Sequence, residues 1–303
     1  MLYERVLVTG ANGLLGRELV SLLGRFSEYD VLATGRRATT RSEGSYGYMP
    51  LDITVRRDVQ RAIRDFEPTV VINCAAMTDV DRCETEREAC WKVNVEAVET
   101  LAQQCSDTGA RLIQLSTDFV FNGLDGPYEE SARPDPVNFY GKSKQAAENA
   151  ARRAGFDKWT IARTVLVYGT GAYTDRSDFV LWLLNRLSSG QSVQIVTDQW
   201  RTPTCVADLA LGIERIVRRG RGGIFHLSGM EWMSIYDFAQ TIADVFGLDS
   251  ALIRPVDAST FRQTAARPAK TGFIILKAQT ELDYRPRPVR EALRRIGVRL
   301  GLV

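Results

Sequence analysis

The sequence predicts an α/β fold, with a doubly wound, mostly parallel sheet followed by a smaller, mixed α/β C-terminal domain. Two observations carry this prediction. Short runs of β-branched residues alternate with helical patterns through the first part of the chain, as in βαβ units. Beyond it the alternation becomes irregular and the segments shorten. We therefore expect one domain at 1–170 and another at 171–303, with a helix at 205–220 returning to the first.

The individual elements of the first domain follow from the spacing of its apolar residues. The run at 5–9, RVLVT, is typical of a strand buried on both faces of a parallel sheet. The same criterion places strands at 5–9, 30–34, 69–73, 111–116 and 160–167. Spacing of about 3.6 residues predicts helices at 14–23, 58–66, 84–105 and 140–153.

The second part of the chain carries a different mixture of patterns. Residues 206–218 form an amphipathic pattern, which favours a helix packed on the first domain. Other helices are predicted at 179–187 and 235–246, and short strands at 191–196 and 224–227.

Composition excludes several classes of function. Lysine and arginine total 39 against 37 acidic residues, and a net charge of +2 gives no broad footprint for nucleic acid. The single histidine, His226, excludes multi-histidine zinc sites, and we expect it in the core or in a turn beside a strand. The five cysteines include no CxxC pair, so we expect reduced thiols, no metal site and a cytoplasmic protein. No apolar run approaches the ~18 residues of a membrane helix, and the N-terminus resembles a strand rather than a signal peptide.

A glycine-rich turn joins the first predicted strand to the first predicted helix. Its GxxGxxG spacing permits a tight turn, close approach of a pyrophosphate and close packing of helix on strand. The helix N-terminus adds free N–H groups and the positive end of the helix dipole. This context predicts a Rossmann-type dinucleotide site. The expected cofactor contacts are Gly10, Asn12, Gly13, Leu14, Leu15 and Gly16.

The end of the second predicted strand indicates which dinucleotide binds. A site for NAD carries Asp or Glu there to bind the ribose 2′-hydroxyl, whereas this chain has Arg36 and Arg37. Two guanidinium groups suit a 2′-phosphate, so we expect NADP(H), with NAD(H) as the alternative. Asp52 and Ile53 are expected to flank the adenine.

Tyr140 and Lys144 form a second motif on the helix predicted at 140–153. Their four-residue spacing places both side chains on one helix face. A neighbouring ammonium group and an oxidised nicotinamide would lower the pKa of the phenol from ~10. Upstream, Thr117 closes a predicted strand, where its hydroxyl can hydrogen-bond a carbonyl. Because both features follow the glycine turn in the expected order, we predict an acid–base pair at these residues.

Several segments resemble one known family beyond these general motifs. On them the chain resembles the extended short-chain dehydrogenase/reductases, and within these the dTDP-4-dehydrorhamnose reductase family. The resemblance spans nearly the whole chain. The segments are NCAAMTDVD at 73–81, LSTDFVFNG at 115–123, PVNFYGKSK at 136–144, DQWRTPT at 198–204 and the pair Arg267-Pro268.

The resemblance implies an NADPH-dependent reductase of a 4-keto-6-deoxy nucleotide sugar, dTDP-4-dehydrorhamnose, in dTDP-rhamnose biosynthesis. Tyr140 would donate a proton to the sugar C4 oxygen while NADPH delivers hydride to C4. Lys144 would lower the pKa of Tyr140 and bind the nicotinamide ribose, and Thr117 would polarise the carbonyl. Further implied cofactor contacts are Cys74, Ala75, Ala76 and Asn94. The implied substrate contacts, with the second domain as the substrate domain, are Thr78, Asp118, Phe119, Leu166, Gln199, Trp200, Thr202 and Arg267.

Three positions depart from the family pattern. Phe119 replaces a tyrosine, Leu166 replaces an aromatic residue, and Arg201 stands at a glycine. We expect the charge of Arg201 to reach either a diphosphate or solvent. Because these positions belong to the implied sugar side, the sequence leaves the identity of the sugar open.

Two other functions remain open at this stage. The regulatory subunit of methionine adenosyltransferase also resembles this chain around 225–229 and 236–248, which favours a cofactor-binding partner protein. An epimerase or dehydratase of the same superfamily would instead retain NAD tightly, which Arg36 and Arg37 argue against. A homodimer is likewise left open.

Overall fold

A computed structural model describes residues 3–39, 45–153, 157–170 and 178–302. Within these ranges strands and helices alternate in the first part of the chain, as the sequence predicts. The strands are β1 (Glu4–Thr9), β2 (Tyr29–Gly35), β3 (Gly47–Pro50), β4 (Val70–Asn73), β5 (Arg111–Thr117), β6 (Trp159–Thr164), β7 (Val167–Tyr168), β8 (Val193–Val196), β9 (Trp200–Arg201), β10 (Thr204–Cys205), β11 (Gly223–His226), β12 (Met233–Ser234) and β13 (Ile253–Val256). The helices are α1 (Leu14–Leu23), α2 (Arg56–Phe66), α3 (Val80–Thr85), α4 (Arg87–Trp91), α5 (Ala97–Thr108), α6 (Phe139–Arg153), α7 (Phe179–Ser188), α8 (Val206–Arg219), α9 (Ile235–Val245), α10 (Leu276–Leu282) and α11 (Val289–Leu300).

Seven of the described strands form one parallel sheet, in the order β11-β6-β5-β4-β1-β2-β3. Strand β1 therefore lies between β2 and β4, and the chain leaves it first towards one edge and then towards the other. This reversal opens a crevice beyond the carboxyl ends of β1 and β4, where α/β proteins bind ligands. The predicted Rossmann-type, doubly wound α/β fold is confirmed.

Helices cover both faces of this sheet, because its strands are apolar on both sides. Val6 and Val8 of β1 pack with α1 and α8, while Leu7 packs with α2 and α5. Helix α8 and strand β11 thus contribute to the sheet structure although they follow residue 170. A separate core joins α7, α9 and α11 to β8 and β13. The predicted domain boundary itself stays a prediction.

Two predicted elements are interrupted in the structure. The single helix expected at 84–105 is wrong: the backbone leaves the helical region at Glu86 (φ −115°), and a π-helical turn at Lys92–Glu96 precedes α5. The strand expected at 160–167 ends at Thr164, because Leu166 adopts a left-handed φ of +32° that a strand ladder cannot include. Both interruptions lie close to the carboxyl edge of the sheet.

A buried ion pair joins α6 to the sheet beneath it. Glu148 accepts hydrogen bonds from Nε and Nη2 of Arg163 on β6, at 2.8 and 2.7 Å, and from Ser116 Oγ on β5 at 2.7 Å. Relative exposure of the two charged side chains is 0% and 1%. Such a pair strongly destabilises the fold when one partner is removed, because the other charge remains buried.

His226 lies beside this pair at the edge of the sheet. Its Nδ1 donates to the carbonyl of Tyr128 at 3.1 Å, and its Nε2 lies 3.4 Å from Nη1 of Arg163. Burial, reinforced by the charge of Arg163, lowers its pKa well below the usual range, so the ring is neutral. Of the two places expected for it, the core and a turn, His226 lies in the core, as the last residue of β11.

Replacing Glu148 by glutamine should lower the free energy of unfolding by about 3 kcal/mol, because Arg163 then remains buried without its counter-charge. Urea unfolding followed by circular dichroism measures this. The matched control is Arg82→Gln, which breaks the exposed pair between Arg82 and Glu86 and should change stability little. Equal effects of both substitutions would contradict the role given to Glu148.

Candidate active site

The glycine-rich turn between β1 and α1 faces the crevice beyond the sheet. Gly10 has a left-handed φ of +65°, and a Cβ there would lie 2.7 Å from the backbone nitrogen of Ala75, so a side chain does not fit. Gly13 begins α1 without a capping side chain, which leaves N–H groups of the first turn to a ligand. Oδ1 of Asn12 is buried and has no hydrogen-bond partner among the described residues. An unpaired acceptor beside an uncapped helix end favours a bound molecule at this point.

Arg36 and Arg37 follow the end of β2 with exposed side chains. The hydroxyl of Tyr48 donates to the carbonyl of Arg37 at 2.7 Å and accepts from Nδ2 of Asn12 at 2.9 Å. The arginine segment is thereby tied to the glycine turn. Two exposed guanidinium groups beside that turn are suited to an anionic group of the same ligand.

Asp52 and Ile53 lie after β3, next to this segment. Partial burial raises the pKa of Asp52, but hydrogen bonds from Thr54 and the charge of Arg36 leave it below its usual value. Asp52 is therefore ionised, and its Oδ1 already accepts from the backbone and hydroxyl of Thr54 at 2.9 and 2.8 Å. Ile53 is buried in the sheet core.

The segment that follows β4 lies against the glycine turn. Hydrogen bonds with Asn94 hold this segment in place. Cys74, Ala75 and Ala76 are half-buried in it. Asn94 accepts from the backbone nitrogen of Met77 at 2.8 Å and donates to its carbonyl at 3.0 Å. Asn94 is implied as a cofactor contact, but both the oxygen and the nitrogen of its side-chain amide are hydrogen-bonded within the protein. The π-helical turn aims it at this segment.

Thr117, Tyr140 and Lys144 come together where β5 ends against α6. Tyr140 and Lys144 are 8% and 4% exposed. Nζ of Lys144 donates to the carbonyl of Leu115 at 2.7 Å, which ties the helix to the strand. Thr117 lies within hydrogen-bonding reach of Tyr140, and Cys74 lies close enough to Lys144 to affect its pKa. The glycine turn, the β4 segment and these three residues therefore form one continuous site.

Burial shifts the pKa values of both ionisable groups in this cluster. It raises the pKa of Tyr140, a shift that the hydrogen bond with Thr117 opposes and the charge of Asp118 reinforces. It lowers the pKa of Lys144 to about 8, although the charge of Glu148 opposes that shift. For the protein by itself, the expected lowering of the pKa of Tyr140 is wrong, because burial of the phenol dominates. Tyr140 is neutral at pH 7 and Lys144 is mostly charged.

Asp118 and Phe119 continue the chain from Thr117 and meet Arg201 of β9. Nε of Arg201 lies 3.5 Å from Oδ2 of Asp118, and its guanidinium lies 5.6 Å from the ring centre of Phe119. The ring of Phe119 in turn makes an edge contact with Tyr140 at 6.0 Å. The expectation that the charge of Arg201 reaches solvent is wrong, because that charge is buried against Asp118, and its reach to a diphosphate stays a prediction.

Four of the other implied substrate residues lie in differing environments. Thr78 is exposed, and Gln199 is buried. The backbone carbonyl of Gln199 accepts a hydrogen bond from the backbone N–H of Ile235 on α9. Trp200 is half-buried and stacks on Trp232 at 6.1 Å. Leu166 is half-buried between the sheet core and the core of the C-terminal part.

Thr202 and Arg267 have their polar atoms bound within the protein. The hydroxyl of Thr202 donates to Ser228 at 3.1 Å and accepts from the backbone of Phe273 at 3.2 Å. Arg267 makes two hydrogen bonds to the carboxylate of Asp81, at 2.6 and 2.7 Å. These two side chains hold loops together in this structure.

Sequence reasoning missed Glu148 and the role of Arg201. Glu148 lies four residues after Lys144 and eight after Tyr140, so helical spacing places all three on one face. That spacing would have been sufficient to find Glu148. No comparable signal exists for Arg201, since its partners Asp118 and Ala269 are distant in sequence.

The described residues also limit other kinds of site. Among them, no helix has the length and apolarity needed to cross a membrane. The same residues contain no cluster of three or more His, Cys, Asp or Glu side chains arranged to hold a metal ion. All five cysteines are free thiols.

Known proteins resemble this chain over most of its length. A Streptomyces niveus protein named dTDP-4-keto-6-deoxy-D-glucose reductase is 37% identical over 269 residues, which cover 88% of each chain. The crystal structure of dTDP-4-dehydrorhamnose reductase from Bacillus anthracis, in complex with NADP, matches with a TM-score of 0.88. It is 31% identical, and the match covers 99% of this chain and 100% of that one.

Two further comparisons complete this picture. Methionine adenosyltransferase 2 subunit beta from Bos taurus is 34% identical over 258 residues, which cover 84% of this chain and 75% of that protein. Residues 4–300 match the family described as RmlD substrate binding domain. Because the match extends over nearly the whole sequence, the chain belongs to the RmlD substrate-binding domain family.

Proposed function

We propose that the protein is an NADPH-dependent reductase of the 4-keto group of a dTDP-linked 4-keto-6-deoxy sugar, with dTDP-4-dehydrorhamnose as the first candidate. The observation that carries the proposal is the buried cluster of Thr117, Tyr140 and Lys144 beside the glycine turn. Its members are the hydroxyl, acid and ammonium groups that carbonyl reduction requires. The names of the similar proteins from Streptomyces niveus and Bacillus anthracis support this class of substrate.

The residues around the crevice fit NADP(H). Gly10 and Gly13 allow backbone approach, the first turn of α1 offers N–H donors, and the orphaned Oδ1 of Asn12 offers an acceptor. Arg36 and Arg37 would hold the 2′-phosphate. When bound, the reduced cofactor supplies the hydride. Cys74, Ala75 and Ala76 would line its path, with Asp52 and Ile53 near the adenine, and Asn94 would act by fixing Met77.

Tyr140 is the proposed proton donor. Its raised pKa keeps the phenol protonated at neutral pH, which is the form that a reduction consumes. Lys144 stays charged below about pH 8 and is anchored to Leu115, so it would stabilise the phenolate formed after transfer. Thr117 would help to orient the substrate oxygen. Each group therefore has the protonation state that its role requires.

The sugar nucleotide is proposed to lie against the surface that follows β5 and β9. Asp118, Phe119 and Leu166 would face the sugar, and Thr78, Gln199 and Trp200 would be further contacts. Thr202 and Arg267 would act indirectly, since their polar atoms already bind the protein. The free thiols favour a reducing, cytoplasmic compartment. A homodimer stays a prediction.

A second candidate is a non-catalytic, NADP-binding regulatory subunit. The observation that favours it is the 34% identity to methionine adenosyltransferase 2 subunit beta. The presence of Tyr140 and Lys144 does not distinguish the two functions. Absence of turnover, together with co-purification with a methionine adenosyltransferase, would contradict the reductase proposal and favour the regulatory subunit.

The wild-type protein should oxidise NADPH in the presence of dTDP-4-dehydrorhamnose or dTDP-4-keto-6-deoxy-D-glucose. Tyr140→Phe should lower kcat by about 100-fold or more, because the substitution removes the proton donor alone. The Kd for NADPH, measured by calorimetry, should stay within about twofold, since a lost hydroxyl has no part in phosphate binding. Wild-type turnover retained in Tyr140→Phe would contradict the assignment of the acid.

Arg36→Ala should weaken NADPH binding about tenfold or more, because a charge-assisted hydrogen bond contributes about 1.5–3 kcal/mol. Binding of NADH, which lacks the 2′-phosphate, should change much less. The control is Arg294→Ala, an exposed arginine on α11. Calorimetric titration with both dinucleotides measures the effect, and equal weakening of the two would refute the 2′-phosphate role.

Activity should fall as pH rises through about 8, because Lys144 then loses the charge that stabilises the phenolate. The pH dependence of kcat/KM measures this loss. Lys142→Met, an exposed lysine on the same helix, should leave the profile unchanged. In Lys144→Met the remaining activity should be low and lack this alkaline limb. A limb that persists in Lys144→Met would assign the titration to another group.

A further inference from the structure

Arg201 is a buried cation on β9 with an unusual number of partners. Its side chain is 5% exposed, and its guanidinium donates to three backbone carbonyls besides facing Asp118. Desolvating a guanidinium is costly unless it is paired and fully hydrogen-bonded. This set of partners meets that condition. The carbonyls are those of Trp200 at 2.7 Å, Pro268 at 2.8 Å and Ala269 at 3.0 Å.

The carboxylate of Asp118 connects Arg201 to Thr117. One oxygen accepts from the Thr117 hydroxyl at 3.1 Å, and the other accepts from Thr271 and lies 3.5 Å from Nε of Arg201. A threonine hydroxyl carries one proton. Thr117 donates that proton to the ionised carboxylate of Asp118, which thereby fixes the direction of the hydroxyl. A protonated Asp118 would donate to Thr117 and reverse the arrangement.

The ring of Phe119 provides a second connection from Arg201 to the reacting phenol. The guanidinium lies over one side of the ring, and Tyr140 meets the ring at an interplanar angle of 72°. The N-terminus of α6 lies close by, since a Cβ on Gly141 would collide with the carbonyl of Phe119. Motion of Phe119 would therefore move Tyr140.

Arg201 and Phe119 are also two of the departures from the pattern that the family resemblance implies. The structure places them in contact, so the cation lies beside a ring that lacks the expected hydroxyl. A cation over an aromatic face contributes about 0.5–2 kcal/mol, and more where both are desolvated.

We propose that Arg201 is a positioning residue, which pairs with Asp118 and packs on Phe119 so that Asp118 holds the hydroxyl of Thr117 and Phe119 holds the phenol of Tyr140 in place. The proposal rests on the proposed reductase function for its kinetic consequence only. Arg201 touches neither substrate nor cofactor in this scheme. It acts through the two side chains that surround the phenol.

The first test is the kinetics of Arg201→Gln. Its kcat should fall between about 10- and 100-fold, the scale of a small misplacement of a reacting group, while the Kd for NADPH stays within about twofold. The matched control is Arg287→Gln, which breaks another Arg–Asp pair, with Asp208 on α8. It should lower stability without lowering kcat comparably. Loss of kcat in both variants alike would mark Arg201 as merely structural.

The second test needs no substrate, so it separates this proposal from the proposed function. Arg201 is the charged group that faces Asp118 among the described residues, with the phenol of Tyr140 nearby. Without Arg201 the buried carboxyl gains affinity for its proton, so folding takes up a proton and stability falls as pH rises above the unfolded pKa of ~4. The melting temperature of Arg201→Gln should therefore fall more steeply from about pH 5 to about pH 8 than that of the wild type.

The double variant Asp118→Asn/Arg201→Gln should lose this extra pH dependence, because the titrating carboxyl is gone. If wild-type protein shows no reductase activity, the proposed function fails and the melting curves still decide the role of Arg201. Parallel melting curves for wild type and Arg201→Gln, or an unchanged kcat in an active enzyme, would overturn the proposal.

Discussion

The interaction on which the rest of the site depends is the buried pairing of Glu148 with Arg163 and Ser116. It fixes one face of α6 against the ends of β5 and β6. Lys144 lies one turn away on that face and Tyr140 two turns away. Because the helix is held by charge-assisted hydrogen bonds in a dry interior, the phenol and ammonium have little freedom of position.

Burial then sets the chemistry that these groups can perform. The same desolvation raises the pKa of Tyr140 and lowers that of Lys144 to about 8, and at pH 7 the phenol is neutral while the lysine still carries most of its charge. A histidine is not needed for the proton, and the single histidine of the chain is neutral and packed in the core. The opposed shifts suit a reduction, in which the phenol gives up its proton only when negative charge develops on a substrate oxygen.

The sequence was sufficient for the sheet, the glycine turn and the Tyr140–Lys144 pair, because periodicity and short-range spacing encode them. It was insufficient where contacts between residues distant in the sequence determine the local structure. Within the π-helical turn at Lys92–Glu96, Asn94 binds Met77, which lies 17 residues earlier, and β6 ends before Leu166, whose φ is left-handed. The burial of Arg201 and the raised pKa of Tyr140 likewise depend on residues brought together only by folding.

The measurement that tests the proposed activity most directly is transfer of an isotope from cofactor to sugar. NADPH deuterated at both C4 positions of the nicotinamide would be incubated with the protein and dTDP-4-dehydrorhamnose. The proposed activity predicts one deuterium at C4 of the sugar product, detected by NMR as loss of the C4 proton signal. Consumption of the sugar without deuterium at C4, or deuterated NADPH left unconsumed, would contradict it.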